Sequence, residues 1–229
     1  MPKVVDHAQR RDDIAGVACS VIATHGFEQA TVAKIAAAAG FTTGMVAHYF
    51  DTKQDIVLAA LRLILRRIDE RLTSSTTERP CLLDLLAETL PIDHQRSTEC
   101  AFWVAFWGQV AADQPLARIN AWVHDEYARL YERCFTLAWD EWRDWPDSVR
   151  AEVLSAMATF INGLTATAVI NPAEWPKERL LSQLQRQLQL WRDWANQARV
   201  TDALTDATAR PQTRSILTDK PNARRVARR

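Results

Sequence analysis

Apolar residues recur along this chain at intervals of three and four, and nowhere alternate with polar ones over the length of a strand. Ile14, Val17, Ala18, Val21 and Ile22 share one face of a helix expected over about 6 to 25, and Gly26 follows it as a left-handed cap. Short helices are expected at about 32 to 39 and 43 to 49. From about 54 to 72, Val57, Leu61, Ile64, Leu65, Ile68 and Leu72 form a stripe on one continuous helix, with Arg62, Arg66, Asp69 and Glu70 on its other face. A linker at about 74 to 80 follows. Pro91, Pro115, Pro146 and the 171 to 176 stretch then divide helices of about 81 to 90, 94 to 112, 116 to 142, 147 to 170 and 177 to 195. The last two are rich in Ala, Leu and Gln and apolar over a wide face, which suits packing within the chain or a dimer seam. Beyond 196 the periodicity fades into Thr, Asp, Ala, Pro and Arg, so a disordered basic tail is expected over 197 to 229. The pattern predicts an all-α protein with a small domain at 1 to 53 and a larger helical one at 54 to 196.

At 229 residues and 48% apolar content the chain can bury a real core, which excludes a disulfide scaffold and a disordered polymer. Six Gly argue against Gly-rich phosphate loops. The start is polar and no apolar run is read as approaching the ~18 residues of a bilayer span, so a soluble, intracellular, cytoplasmic protein with no membrane partner is expected. Cys19, Cys81, Cys100 and Cys134 are too far apart for a CxxC pair, and reduced thiols buried in helices are the expectation. Lys and Arg balance Asp and Glu at 28 each overall and at five each over 1 to 53; the surplus of cations, eight against three, lies in 197 to 229. Any nucleic-acid contact near the N-terminus therefore rests on a few placed groups, with at most a weak phosphate contact from the terminal ARRVARR.

Residues 31 to 50 read TVAKIAAAAGFTTGMVAHYF. Thr31 is a good N-cap; Val32, Ile35, Ala36 and Ala39 share a face; small Ala36 admits a crossing helix; and Gly40 supplies the backbone freedom of a tight turn. Thr42 or Thr43 caps a second short helix with Val46 and Phe50 inward and Thr43, Gly44, Ala47 and His48 outward. Two short helices meeting through a glycine turn form a helix-turn-helix, whose second helix enters the major groove of double-stranded DNA. Gly44 and Ala47 are small enough to approach base edges, Ala47 or Met45 suits a thymine methyl, and Thr42 and Thr43 suit bases or phosphates. His48, Tyr49, Lys53 and the amides around Thr31 are placed for phosphate oxygens.

Thr31, Val32, Ile35, Ala36, Ala39, Gly40, Thr43, Gly44, His48, Tyr49, Phe50 and Lys53 resemble the signature of the TetR family of transcriptional regulators. TTGMVAHYF and INGLTATAVINPAEWPKERL are similar to its choline-responsive BetI-type branch. The resemblance implies an N-terminal three-helix DNA-binding domain and a C-terminal helical ligand-binding and dimerisation domain. It further implies a homodimer that pairs helices 147 to 170 and 177 to 195 on a palindromic operator, and repression relieved by a small molecule. It assigns base reading to Thr42, Thr43, Gly44, Met45 and Ala47 and backbone contacts to Thr31, His48, Tyr49 and Lys53. Ala47 stands where many relatives carry a larger side chain, which shifts weight towards DNA shape. The helix at 54 to 72 is the expected lever between the two domains.

All nine Trp lie at 103 or beyond. Trp103 and Trp107 share a helical face with Glu99, and two readings stand: core or dimer packing, the commoner use of such stripes, or a cage for a cationic or quaternary amine. Trp122, Tyr127 and Tyr131 are candidates to close the same pocket, and Asn162 is either a pocket hydrogen-bonder or a satisfied core group. Trp139, Trp142 and Trp145, near a helix end, are expected to be partly exposed.

The sequence has no GxSxG, HExxH, P-loop or Rossmann fingerprint, no Glu-x-x-His pair, and five scattered His, so no enzyme, metal or cofactor is expected. The rival reading is a helical dimer, small-molecule-binding or enzymatic, that does not bind DNA.

Overall fold

The computed structural model describes residues 7–74 and 80–209, the last twelve as backbone alone, and among these the regular structure is entirely helical. The helices are α1 (His7–His25), α2 (Val32–Ala38), α3 (Thr43–Tyr49), α4 (Lys53–Ser74), α5 (Leu82–Ala87), α6 (His94–Val110), α7 (Gln114–Ala138), α8 (Asp147–Ile170) and α9 (Lys177–Ala209). A single 3₁₀ turn, Asp140–Asp144, joins α7 to α8.

Local chemistry sets the boundaries. Gly26, at φ 78°, closes α1 with its N–H on the Ile22 carbonyl at 2.9 Å, an αL cap. At the head of α4, Thr52 and Asp55 cap one another: the Thr52 amide donates to the Asp55 carboxylate at 2.9 Å and the Asp55 amide to the Thr52 hydroxyl at 3.1 Å. Asp93 and Asp113 accept the Arg96 and Leu116 amides at 2.8 and 3.0 Å and so start α6 and α7. The expected helix at 116 to 142 ends sooner, at Ala138, because Trp139 takes an extended conformation and Phe135, Trp139, Trp142 and Trp145 pack into one cluster. Those three Trp are buried rather than partly exposed, with the Trp142 indole donating to Glu132 at 3.0 Å.

α6 is the hub. It packs against α1 of the N-terminal unit on one side and against α7 and α8 on the other, so the apolar core runs without a break across the division at residue 53. α4 lies along α1, and α5 packs on α7 and α9. The expectation of a tail from 197 is corrected in part: α9 continues through Ala209, since residues 197 to 209 contain neither Gly nor Pro and are rich in helix-compatible Ala. Residues 210 to 229, with the ARRVARR terminus, lie outside the described residues. The reading that no run approaches a membrane span also needs correction. α8 holds an 18-residue uncharged stretch with a mean hydropathy of 1.7, long and apolar enough by composition, one third of it buried among α6, α7 and α9.

Candidate nucleic-acid interface and internal cavity

The turn between α2 and α3 is built by hydrogen bonds within a few residues. Thr31 Oγ1 accepts the Lys34 amide at 3.2 Å and Thr42 Oγ1 the Met45 amide at 3.1 Å, so Thr42 rather than Thr43 is the second cap. Gly40, at φ 70°, donates to the Ala37 carbonyl at 3.1 Å, and Phe41 donates to the Ala36 carbonyl at 2.9 Å, a Schellman ending for α2. Ile35, Ala36, Val46 and Phe50 are buried beneath it. That packing decides what α3 presents. Thr42, Thr43, Gly44, Met45, Ala47 and His48 are all exposed, and Met45 is 45% open although apolar. Leaving methionine in water costs free energy that a partner surface would recover.

The flank of α3 is richer than the sequence suggested. The His7, His48 and Tyr49 rings form a triangle with centroids 5.3 to 5.9 Å apart. Arg11 donates to the Tyr49 carbonyl and lies 4.3 Å over the Phe50 ring, while Arg10 lies 5.2 Å over Phe41. These α1 cations escaped sequence reasoning because only folding brings them beside α3. Lys53 is the converse. Its ammonium donates to the Phe27 carbonyl and sits 4.2 Å over that ring, and burial pushes its pKa down. It anchors the α1–α2 turn to α4, a role that sequence reasoning missed.

The second candidate site is a cavity of about 700 Å³ between α6, α7 and α8. Trp103, Trp107, Tyr127, Tyr131 and Asn162 of the expected set line it, together with Cys100, Val123 and Ile161. Trp103 meets Trp107 at 5.8 Å and Tyr127 edge-on at 5.4 Å, so the aromatic stripe is both packing and cavity wall. Burial raises the Tyr127 and Tyr131 phenols and keeps them neutral. Asn162 is exposed at the rim, not a satisfied core group.

Two expected residues lie elsewhere. Glu99 is buried but turned to α4, where Arg67 and Arg71 donate to its carboxylate at 3.4 and 3.2 Å; Gln95 adds a bond at 3.1 Å. Arg71 also reaches Glu88 at 2.7 Å, and Arg96 joins the same carboxylate at 2.6 Å. A carboxylate held this way is neutralised and offers nothing to a guest, so the cage built on Glu99 is not formed. Trp122 packs beneath Arg62, 5.4 Å from its guanidinium, and does not close the cavity. The pairing of α4 arginines with an α6 carboxylate could not be read from sequence spacing, because the partners are 28 and 32 residues apart.

Comparisons with known proteins agree with this architecture. Residues 14–60 match the model of bacterial regulatory proteins of the tetR family, and residues 78–193 that of the BetI-type transcriptional repressor C-terminal domain. The transcriptional regulator BetI of Paraburkholderia phymatum is 27% identical over 170 residues, covering 72% of this chain and 83% of that protein. The regulator PksA of Bacillus subtilis is 31% identical over 110 residues, 46% of this chain and 54% of PksA. Among solved structures, a transcriptional regulator from Rhodococcus sp. Rha1 superposes with a TM-score of 0.68 at 24% identity, covering 81% of this chain and 97% of that one. A Saccharomonospora viridis regulator crystallised with choline superposes with a TM-score of 0.66 at 17% identity, covering 79% and 96%. With an exposed helix of the right geometry at one end, a matching domain in each half and these relatives, the chain belongs to the TetR family of DNA-binding transcriptional regulators, with a C-terminal domain of the BetI type.

Proposed function

We propose that the protein is a repressor that binds a two-fold symmetric operator as a homodimer, in the cytoplasm, and is released when a small molecule occupies the cavity between α6, α7 and α8. The observation that carries the reading is the exposed face of α3, Thr43, Gly44, Met45, Ala47 and His48, held out by buried Val46 and Phe50. Thr42, Thr43, Gly44, Met45 and Ala47 read bases, and Thr31, His48, Tyr49 and Lys53 hold phosphates, joined by Arg10 and Arg11.

A seven-residue helix buries too little surface for tight specific binding, so two copies spaced by a turn of DNA, roughly 34 Å, must act together. Exposed Ile170, Leu190 and Trp194 give α8 and α9 an apolar face that a second copy would cover. Release follows if the guest favours a shape in which the two α3 helices no longer match successive grooves, and only by as much as it prefers that shape. α4 is the lever. It begins at the α1–α2 turn through Lys53 and meets the cavity wall through Arg67, Arg71 and Glu99.

Selection from a random double-stranded DNA pool tests the reading. The enriched sequences are expected to be inverted repeats, with affinity falling steeply as salt rises. Thr43→Ala with Met45→Ala should weaken binding by about 1–3 kcal/mol without loss of helicity. A pool that never enriches, or that enriches a single unpaired half-site, refutes it.

A further inference from the structure

The lining of the internal cavity is largely apolar and aromatic, with neutral polar groups distributed along it. Its buried part combines Trp103, Val123, Tyr131 and Ile161 with Thr89 and Thr165. Further polar side chains stand where the protein opens to solvent: His124, Ser155 and Asn162 are exposed and Asn120 half-exposed. Among the described residues that line it there is no Asp, Glu, Lys or Arg. Glu99 adjoins Cys100 of the wall in sequence but is spent on Arg67 and Arg71 behind it.

We infer that this cavity takes an uncharged, mostly apolar molecule carrying a neutral hydrogen-bonding group, and discriminates against organic cations and anions. The inference rests on reading the cavity as the effector site and names the class of effector. An ion entering must shed its water, and the aromatic faces of Trp103 and Trp107 return only part of that loss to a cation. No carboxylate completes the exchange, and the guanidiniums behind the α6 wall cancel the negative charge of Glu99. An anion fares no better, since the lining holds no Lys or Arg and its single imidazole, His124, stands exposed at the rim. A neutral guest avoids the ionic penalty, packs on the aromatic lining, and meets Thr89, Thr165, Asn120, Ser155 or Asn162 with a hydroxyl or carbonyl. A volume of about 700 Å³ suits a molecule of drug-like size.

The test titrates the full-length protein, without DNA, with N-phenyl-1-naphthylamine, an uncharged dye that brightens in apolar surroundings. Saturable binding is expected. Three phenols of matched shape and different charge then compete with the dye: neutral 4-(3,3-dimethylbutyl)phenol, cationic 4-[2-(trimethylammonio)ethyl]phenol and anionic 3-(4-hydroxyphenyl)propanoate. The neutral one should displace the dye at a concentration at least about tenfold below either ion. Ser155→Trp, at an exposed rim position that tolerates the larger side chain, should weaken dye binding about tenfold, as should Ala158→Trp further along α8. The inference is overturned if the cation or anion competes as well as the neutral phenol, if no saturable binding occurs, or if both substitutions leave it unchanged. Because no DNA is present, failure here leaves operator binding standing, and failure of the DNA selection leaves this result standing.

Discussion

Single residues carry the turn that presents α3, and their effects separate cleanly into backbone and side-chain terms. A Cβ added at Gly40 meets nothing within 4 Å, so the cost of Gly40→Ala is purely the left-handed backbone at φ 70°. That cost is about 1 kcal/mol, and a thermal melt should show it as a drop of a few degrees. The cysteines make a second residue-scale case. Cys19, Cys100 and Cys134 are buried while Cys81, at the head of α5, is exposed, which corrects the expectation that all four lie inside. Burial pushes the three buried thiols from an ordinary 9.0 up to about 12. The folded state therefore holds protons that the unfolded chain releases above pH 9, so stability is intact below that pH and is lost progressively from 9 towards 12. The urea midpoint should fall across that window, and iodoacetamide at pH 8 should modify Cys81 alone until denaturant is added.

Among the elements, α4 and α6 are joined by the charged cluster of Arg67, Arg71, Arg96, Glu88 and Glu99. Glu99 is the most deeply placed member, with 5% of its side chain exposed against 33% and 21% for its arginine partners. Glu99→Gln removes the charge both guanidiniums were folded around. Because the arginines remain partly solvated, the loss is put at about 2 kcal/mol, below that of a fully buried pair. Urea unfolding measures it, and Glu99→Leu combined with Arg71→Met should recover part of the loss. Recovery of nothing would mean that Arg67 alone sets the cost. Of this cluster the sequence singled out only Glu99, in another role; the stripe read on α4, Arg62, Arg66, Asp69 and Glu70, holds neither of its arginine partners, which depended on α6 docking beside α4.

At the scale of the whole molecule, the proposed homodimer would both cover the exposed apolar residues of α8 and α9 and place two α3 helices on one face of DNA. Leu190→Glu with Trp194→Glu, both at exposed positions, should leave helicity unchanged, turn a dimer into a monomer in sedimentation, and cut operator affinity at least tenfold. What the sequence determined by itself is the set of features whose hydrogen bonds close within a few residues: the Thr31 cap, a threonine cap at 42 or 43, the glycine turn at Gly40, and the helical period that puts Val46 and Phe50 inward and Thr43 and Ala47 outward. These are local, and local geometry follows from local residue types. Only the tertiary structure decided whether Glu99 faced a guest or two arginines, whether Trp122 closed the cavity or lay under Arg62, that Lys53 ties α4 to the α1–α2 turn, and whether the Trp139 cluster was buried. Each of those depends on which helix docks against which, and a periodic pattern fixes the face a helix buries but not the partner that buries it.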